Sequence, residues 1–289
     1  MKRSSMYVSG LLLASSTILF SCEKTDLVPE NPETVEKKKD ADCEVTAFRY
    51  NANTGSGTTN QYVFKRQNDP STGRLSQIIT AVYQGGAITS TLTFDVRWAN
   101  NSIVFLKAGS ATDTVLVASL NAQGKPIDVV AGNAPDANYL PTSFEYNNTR
   151  LSAMKITLGS NLLVSRFAYD GKGNCTSIQD DGQGSMTPGR VEYTYGNKKA
   201  DRQLYLDEPR IFSWNTFSLL QFSGLFPELQ PAQLRTGVKV FWANNYKVYD
   251  VNLVNHHVEG GNLQRYEVSF PGSSVTIPYF SDFACEGAQ

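Results

Sequence analysis

The sequence predicts an all-β chain: serial antiparallel β-hairpins of about 24 residues forming a strongly curved sheet or incomplete barrel, with one short helical insert near 212–229. Three observations predict it. Corners rich in Asn, Asp and Gly recur at Gly73, Asn100-Asn101, Gly124, Thr149, Gly173 and Gly196, at intervals of about 27, 24, 25, 24 and 23 residues. Aromatics alternate ahead of three of these corners, as Phe144 and Tyr146, Phe167 and Tyr169, Tyr193 and Tyr195, which puts each pair on one strand face. The composition, with 14 Tyr, 15 Phe and 22 Gly, favours strands and turns over helices.

The first 22 residues, MKRSSMYVSGLLLASSTILFSC, stand apart from the fold. Lys2 and Arg3 precede an apolar stretch from about Met6 to Phe20, too short for a comfortable membrane helix. Leu19-Phe20-Ser21-Cys22 resembles a bacterial lipobox, which implies cleavage after residue 21 and acylation of Cys22. Several acyl chains anchor a protein stably, where one is marginal. Residues 23–42 hold eleven charged side chains, two prolines and no aromatic. Such a stretch cannot offset its ordering entropy by burial and reads as a tether, reaching on the order of 25 Å. Glu23 after the lipidated Cys resembles an outer-membrane sorting signal, and the charges behind it resemble the surface-export signals of Bacteroidota lipoproteins.

Residues 43–289 then form one β-repeat domain, with repeats over about 60–205, the insert within 206–235 and closing strands over 236–289. Removing residues 1–21 takes away Lys2 and Arg3, so the net charge moves from −1 to −3. No basic face stands out beyond Lys37-Lys38-Lys39, which argues against a nucleic-acid partner. Cys43 opens the folded part and Cys285 almost closes it, so the two are paired as a candidate disulfide; closing so long a loop contributes roughly 5 kcal/mol in the chain-entropy model.

Each unit reads as a hairpin. After the corner comes an apolar pair three residues apart: Leu75 and Ile78, Leu151 and Met154, Cys175 and Ile178. That spacing breaks strict alternation, and a β-bulge would reconcile it. Cys175 fills a slot that other units give to Leu and reads as a small buried hydrophobe. Trp98 to Asn101 and Trp242 to Asn245 repeat the tetrapeptide WANN, a second echo of the unit. Tyr169, Asp170, Gly173, Asn174, Thr176 and Ile178 resemble the core of the YD repeat of Rhs-type proteins. Lipobox, tether and degenerate hairpins together resemble a group of Bacteroidota lipoproteins of unknown function. The resemblance implies architecture only, because five or six hairpins are too few to enclose a toxin as Rhs shells do.

The repeat breaks at residues 205–235. Trp214, Phe217, Leu219, Leu220 and Phe222 sit near helical spacing, with Ser213 or Asn215 as cap and Gly224 as stop. An apolar insert of this kind plugs a curved sheet; presented outward, Trp214, Phe217, Leu220 and Phe222 would dock a partner.

Chemistry is sparse. The two histidines, His256 and His257, are adjacent and on a strand point to opposite faces, a poor joint metal site. Asp180-Asp181-Gly182 resembles a fragment of a calcium loop without its alternating ligands and reads instead as a solvated hairpin end. Nucleophile elbow, phosphate loop and dinucleotide fingerprint are all missing from the sequence. The expected role is non-catalytic, without cofactor: a membrane-anchored surface lipoprotein that binds a glycan or a protein. An accessory subunit of an outer-membrane complex is the second reading. A hydrolase using carboxylates such as Asp170, Asp207 and Glu208 is the third.

Overall fold

A computed structural model describes residues 43–53, 59–135, 139–158, 160–182, 189–205, 214–242 and 244–285. The signal peptide, Cys22 and the tether lie outside the described residues. The strands are β1 (Cys43–Asn53), β2 (Thr59–Asn68), β3 (Leu75–Gln84), β4 (Ala87–Ala99), β5 (Ser102–Lys107), β6 (Thr114–Leu120), β7 (Pro126–Ala131) and β8 (Thr142–Asn147). They continue as β9 (Arg150–Leu158), β10 (Asn161–Tyr169), β11 (Cys175–Gly182), β12 (Gly189–Tyr195), β13 (Arg235–Trp242), β14 (Lys247–Glu259), β15 (Asn262–Ser269) and β16 (Thr276–Cys285). Each pairs antiparallel with the next, and β16 pairs with β1, so the described strands form a closed barrel of 16. The expectation of an incomplete barrel is corrected here. The strands of the C-terminal third, whose repeat signal is faint, continue the same meander and supply the missing arc.

The predicted corners gather at one end. The β2–β3, β4–β5, β6–β7, β8–β9 and β10–β11 connections all turn there, and β1 begins there at Cys43. We call this the turn end and the opposite one the far rim. Gly73, Gly124 and Gly173 adopt positive φ of 67°, 75° and 96°, and Asn101 and Asn148 adopt 57° and 56°, as tight corners require. The WANN echo is one of turn and not of place: Asn101 and Asn245 take nearly the same positive φ, 57° and 59°, each in the hairpin that follows a strand ending at or beside the Trp. Trp98 to Asn101 lies at the turn end, whereas Trp242 and Asn245 flank the β13–β14 connection at the far rim. β12 ends at the turn end and β13 starts there, antiparallel to it, so β13 runs opposite to β4.

The apolar pairs three apart are β-bulges, as the spacing requires. Ser76, Ser152 and Thr176 are the extra residues, since Asn68, Tyr146 and Tyr169 pair with Leu75, Leu151 and Cys175 while their neighbours pair two positions on. The bulge hydroxyls donate back across the ladder: Ser76 Oγ to the Gln67 carbonyl (3.0 Å), Ser152 Oγ to Glu145 (3.0 Å) and Thr176 Oγ1 to Ala168 (3.3 Å). Successive units are then stitched together. The aromatic that ends one unit donates to the carbonyl of the residue that opens the preceding post-corner strand: Trp98 to Leu75, Tyr146 to Pro126, Tyr169 to Leu151 and Tyr195 to Cys175. Arg74, Lys125 and Arg150 lie 5.2–5.4 Å over the rings of Trp98, Tyr146 and Tyr169.

Where the chain ends meet, four tyrosines cross the seam. Tyr62, Tyr50, Tyr279 and Tyr266, on β2, β1, β16 and β15, stack with successive ring centroids 5.0 Å apart. On the outer face Arg49 pairs with Asp282 at 3.1 Å. Cys43 and Cys285 are register partners on these two seam strands; their side chains lie outside the described residues.

A barrel of 16 strands is too wide for wall side chains alone to fill. The insert fills it. Helix α1 (Trp214–Phe222) ends in a Schellman motif, with Gly224 at φ 80°, its N–H on the Gln221 carbonyl, and the Leu225 N–H on that of Leu220. Phe217 packs on Phe167 of β10 and on Phe226, Phe226 on Phe144 of β8, and Phe222 on Phe64 of β2, with centroids 5.2–6.1 Å apart. A 3-10 turn, Pro227–Leu229, and the flanking segments close the turn end. There Glu228 pairs with Lys125 at 3.2 Å, Lys172 donates to Gln233, and Arg202 bridges to Asn262.

Candidate functional site

Because the wall is one sheet thick, each strand presents alternate residues to the lumen and to the outside. Most lumenal positions are apolar: Phe48, Ile78, Phe94, Ile103, Phe105, Leu116, Phe144, Met154, Phe167, Ile178 and Val240 are all buried there. Outward positions carry charge. Arg265 pairs with Glu267, Arg166 with Asp181, Arg190 with Glu192 and Lys247 with Asp250, at 2.5–2.9 Å, and Lys155 pairs with Glu145. Lys65, Asp95, Arg97 and Lys239 extend the charged exterior around the wall. A transmembrane barrel has the reverse polarity, an apolar outer band around a polar interior, and Arg or Lys on its lipid face at mid-depth costs about 2–4 kcal/mol each. No described helix is long and apolar enough to cross a membrane either.

The predicted docking residues do not form an outer patch. Phe217, Leu220 and Phe222 are buried in the lumen at 0–3% exposure, because α1 is apolar and the lumen is where water is excluded. Of the two placements weighed for the insert, plug or docking face, these three side chains take the plug; the Trp214 side chain lies outside the described residues. Asp170 is held in its own corner, accepting from the N–H groups of Lys172 and Asn174 at 2.9 Å, and its side-chain bond to Asn174 holds its carboxyl below the usual range. Asp207 and Glu208 lie outside the described residues. His256 points inward, its Nε2–H donating to the Arg235 carbonyl (2.8 Å), and burial lowers its pKa; His257 points out beside Glu259. Cys175 is buried opposite Tyr169, in the slot that Leu151 takes opposite Tyr146.

A polar row crosses four neighbouring strands of the lumenal face near the far rim. On β13, β12, β11 and β10 it runs Trp242, Gly189, Asp180, Ser165. Trp242 and Gly189 are register partners in phase with the core pair Val240 and Val191. Asp180 and Ser165 are partners in phase with Ile178 and Phe167. Ser165 Oγ donates to Asp180 Oδ1 at 3.2 Å. The expectation of a solvated hairpin end at Asp180-Asp181 is therefore corrected: strand alternation sends Asp180 inward, where it is 9% exposed, and Asp181 outward to Arg166. Sequence reasoning overlooked this row, because Trp242 was grouped with the WANN echo. The alternation of Trp242 with Val240 and Val238 was the available signal.

No family model and no curated protein matches the chain. Solved structures do. The crystal structure of a porin-like protein from Bacteroides uniformis matches with a TM-score of 0.60 at 13% identity, over 82% of this chain and 95% of that one. A porin-like protein from Bacteroides vulgatus matches with a TM-score of 0.55 at 13% identity, over 82% and 97%. At this identity the likeness is one of fold, and the chain shares the barrel architecture of these two structures.

Proposed function

We propose that this chain is a lipid-anchored barrel of the outer membrane that stands in water beside the bilayer and acts by binding, with neither conduction nor catalysis. The observation that carries the reading is the polarity of the wall: charges outside, a packed apolar lumen inside. A lumen filled by Phe217, Leu220 and Phe226 offers no aqueous path, and a charged exterior has no place in hydrocarbon. Membrane attachment then falls to Cys22 and its tether. The tether joins β1 at the turn end, so the far rim faces away from the anchor. The repeat unit supplies a scaffold, and the rim supplies the contact surface.

The reading is tested by expressing the full chain with Cys22→Ser in a bacterium that processes lipoproteins. The parent protein is expected in the outer-membrane fraction, and the variant folded but released into the soluble fraction. Retention of the variant in the membrane, resistant to alkaline carbonate, would point to a wall embedded in lipid and refute the reading.

A further inference from the structure

Building on this binding reading, we infer that the far rim holds a site for a neutral carbohydrate, formed by Trp242, Gly189, Asp180 and Ser165. The lumenal face is apolar along the neighbouring row of Val240, Val191 and Ile178, so a carboxylate one step above it is out of keeping with core packing. A buried carboxylate is costly without hydrogen-bond partners, and Ser165, itself fully buried, donates to Asp180. Between Asp180 and Trp242 stands Gly189. A Cβ there would sit 3.0 Å from the Phe241 carbonyl and 3.7 Å from Asp180 Oδ2, so glycine permits the close approach of β13 and leaves the carboxylate uncovered on that side. The backbone of Gly189 does not need glycine on conformational grounds, since its φ is not positive.

Trp242 is 47% exposed, and Tyr246, which follows it in the β13–β14 hairpin, is 64% exposed. Two large aromatics held out of the core on one tight turn are a contact surface, not packing. Three hydrogen bonds close the hairpin: the Trp242 N–H donates to the Tyr246 carbonyl (2.9 Å), the Asn245 N–H to the Trp242 carbonyl (3.0 Å), and the Tyr246 N–H to Asn244 Oδ1 (3.0 Å).

An indole face beside a hydrogen-bond-accepting carboxylate suits a sugar ring, whose C–H face stacks while its hydroxyls donate. An anionic ligand would be repelled by Asp180. A cation would suit the carboxylate as well, and the neutral gels below separate the two cases, because those polymers carry no charge.

The test is affinity electrophoresis of the full chain through gels holding soluble starch, xylan, mannan or dextran, with polygalacturonate as the anionic control. Retardation by at least one neutral polysaccharide is expected. Trp242→Ala should abolish it and Trp242→Phe weaken it. Asp180→Asn, which keeps a partner for Ser165, should weaken binding about tenfold, the loss of one hydrogen bond to a charged group. Normal mobility in all four neutral gels overturns the site, as does retardation by polygalacturonate alone or retardation that Trp242→Ala and Trp242→Phe leave unchanged. Both Trp242 variants are read only where their circular dichroism matches the parent's, and Trp242→Phe serves if the alanine form fails to fold. Outer-membrane release of the Cys22→Ser form is measured independently, so failure here leaves the non-conducting barrel standing.

Discussion

Phe217→Ala is expected to lower the unfolding free energy by about 3–5 kcal/mol, the cost of a fully buried phenyl plus the cavity it leaves. Phe217 is the middle of a chain of rings that runs from the β10 wall through Phe167 to Phe226 and on to Phe144 of β8. Truncating it removes the plug's ring contact with Phe167 of β10 and leaves Phe226 without its stacked neighbour. Equilibrium urea unfolding followed by fluorescence measures the effect. Lys239→Ala on the outer wall is the control and should stay within about 0.5 kcal/mol. Equal effects of the two changes would mean that the insert is not the keystone of the lumen.

The second large effect is expected at Lys125. Its ammonium pairs with Glu228, lies over the Tyr146 ring and donates to the Thr149 carbonyl, so it ties two corners to the insert. The pair is mostly hidden from water, with side-chain exposures of 14% and 8%. Lys125→Met should cost about 3–5 kcal/mol near neutral pH by leaving a buried carboxylate without its cation. Glu228→Gln in the same chain should return much of that loss. The pH dependence has a defined sign. Burial raises the pKa of Glu228 above its ordinary value of 4.5, and Lys125 only partly opposes the shift. The folded state therefore holds its proton more tightly than the unfolded one. The stabilising contribution of that protonation is full below the ordinary carboxylate range and is lost as pH rises through the raised pKa. Without Lys125 the pKa rises further, so Lys125→Met should be least destabilising in acid. Chemical denaturation of parent and variant across pH 4–8 checks it, and a pH-independent loss would contradict the assignment.

Much of this architecture was legible because the repeat is local. A corner needs Gly or Asn, the strand before it needs alternating aromatics, and both leave marks over a dozen residues. The bulges were legible too, since Leu151 and Met154 can share a face only if Ser152 is extra. Closure was not. The partnership of β1 with β16 joins residues at opposite ends of the chain, and no local pattern records it. The plug was half legible: its apolar spacing marked a short helix, but whether Phe217 faces a lumen or a partner depends on how many strands close around it. The polar row was hidden for a similar reason. Trp242, Gly189, Asp180 and Ser165 are neighbours only across four strands in register, and Gly189 and Ser165 are unremarkable in sequence.

The most direct test of the account is the behaviour of residues 43–289 in detergent-free buffer, followed by sedimentation velocity and far-ultraviolet circular dichroism, with and without liposomes. A charged wall around a packed lumen predicts a folded, β-rich species that sediments homogeneously without detergent and does not float with liposomes. A chain that aggregates until detergent is added, or that inserts into liposomes and passes ions, would contradict the assignment of water to the outer face.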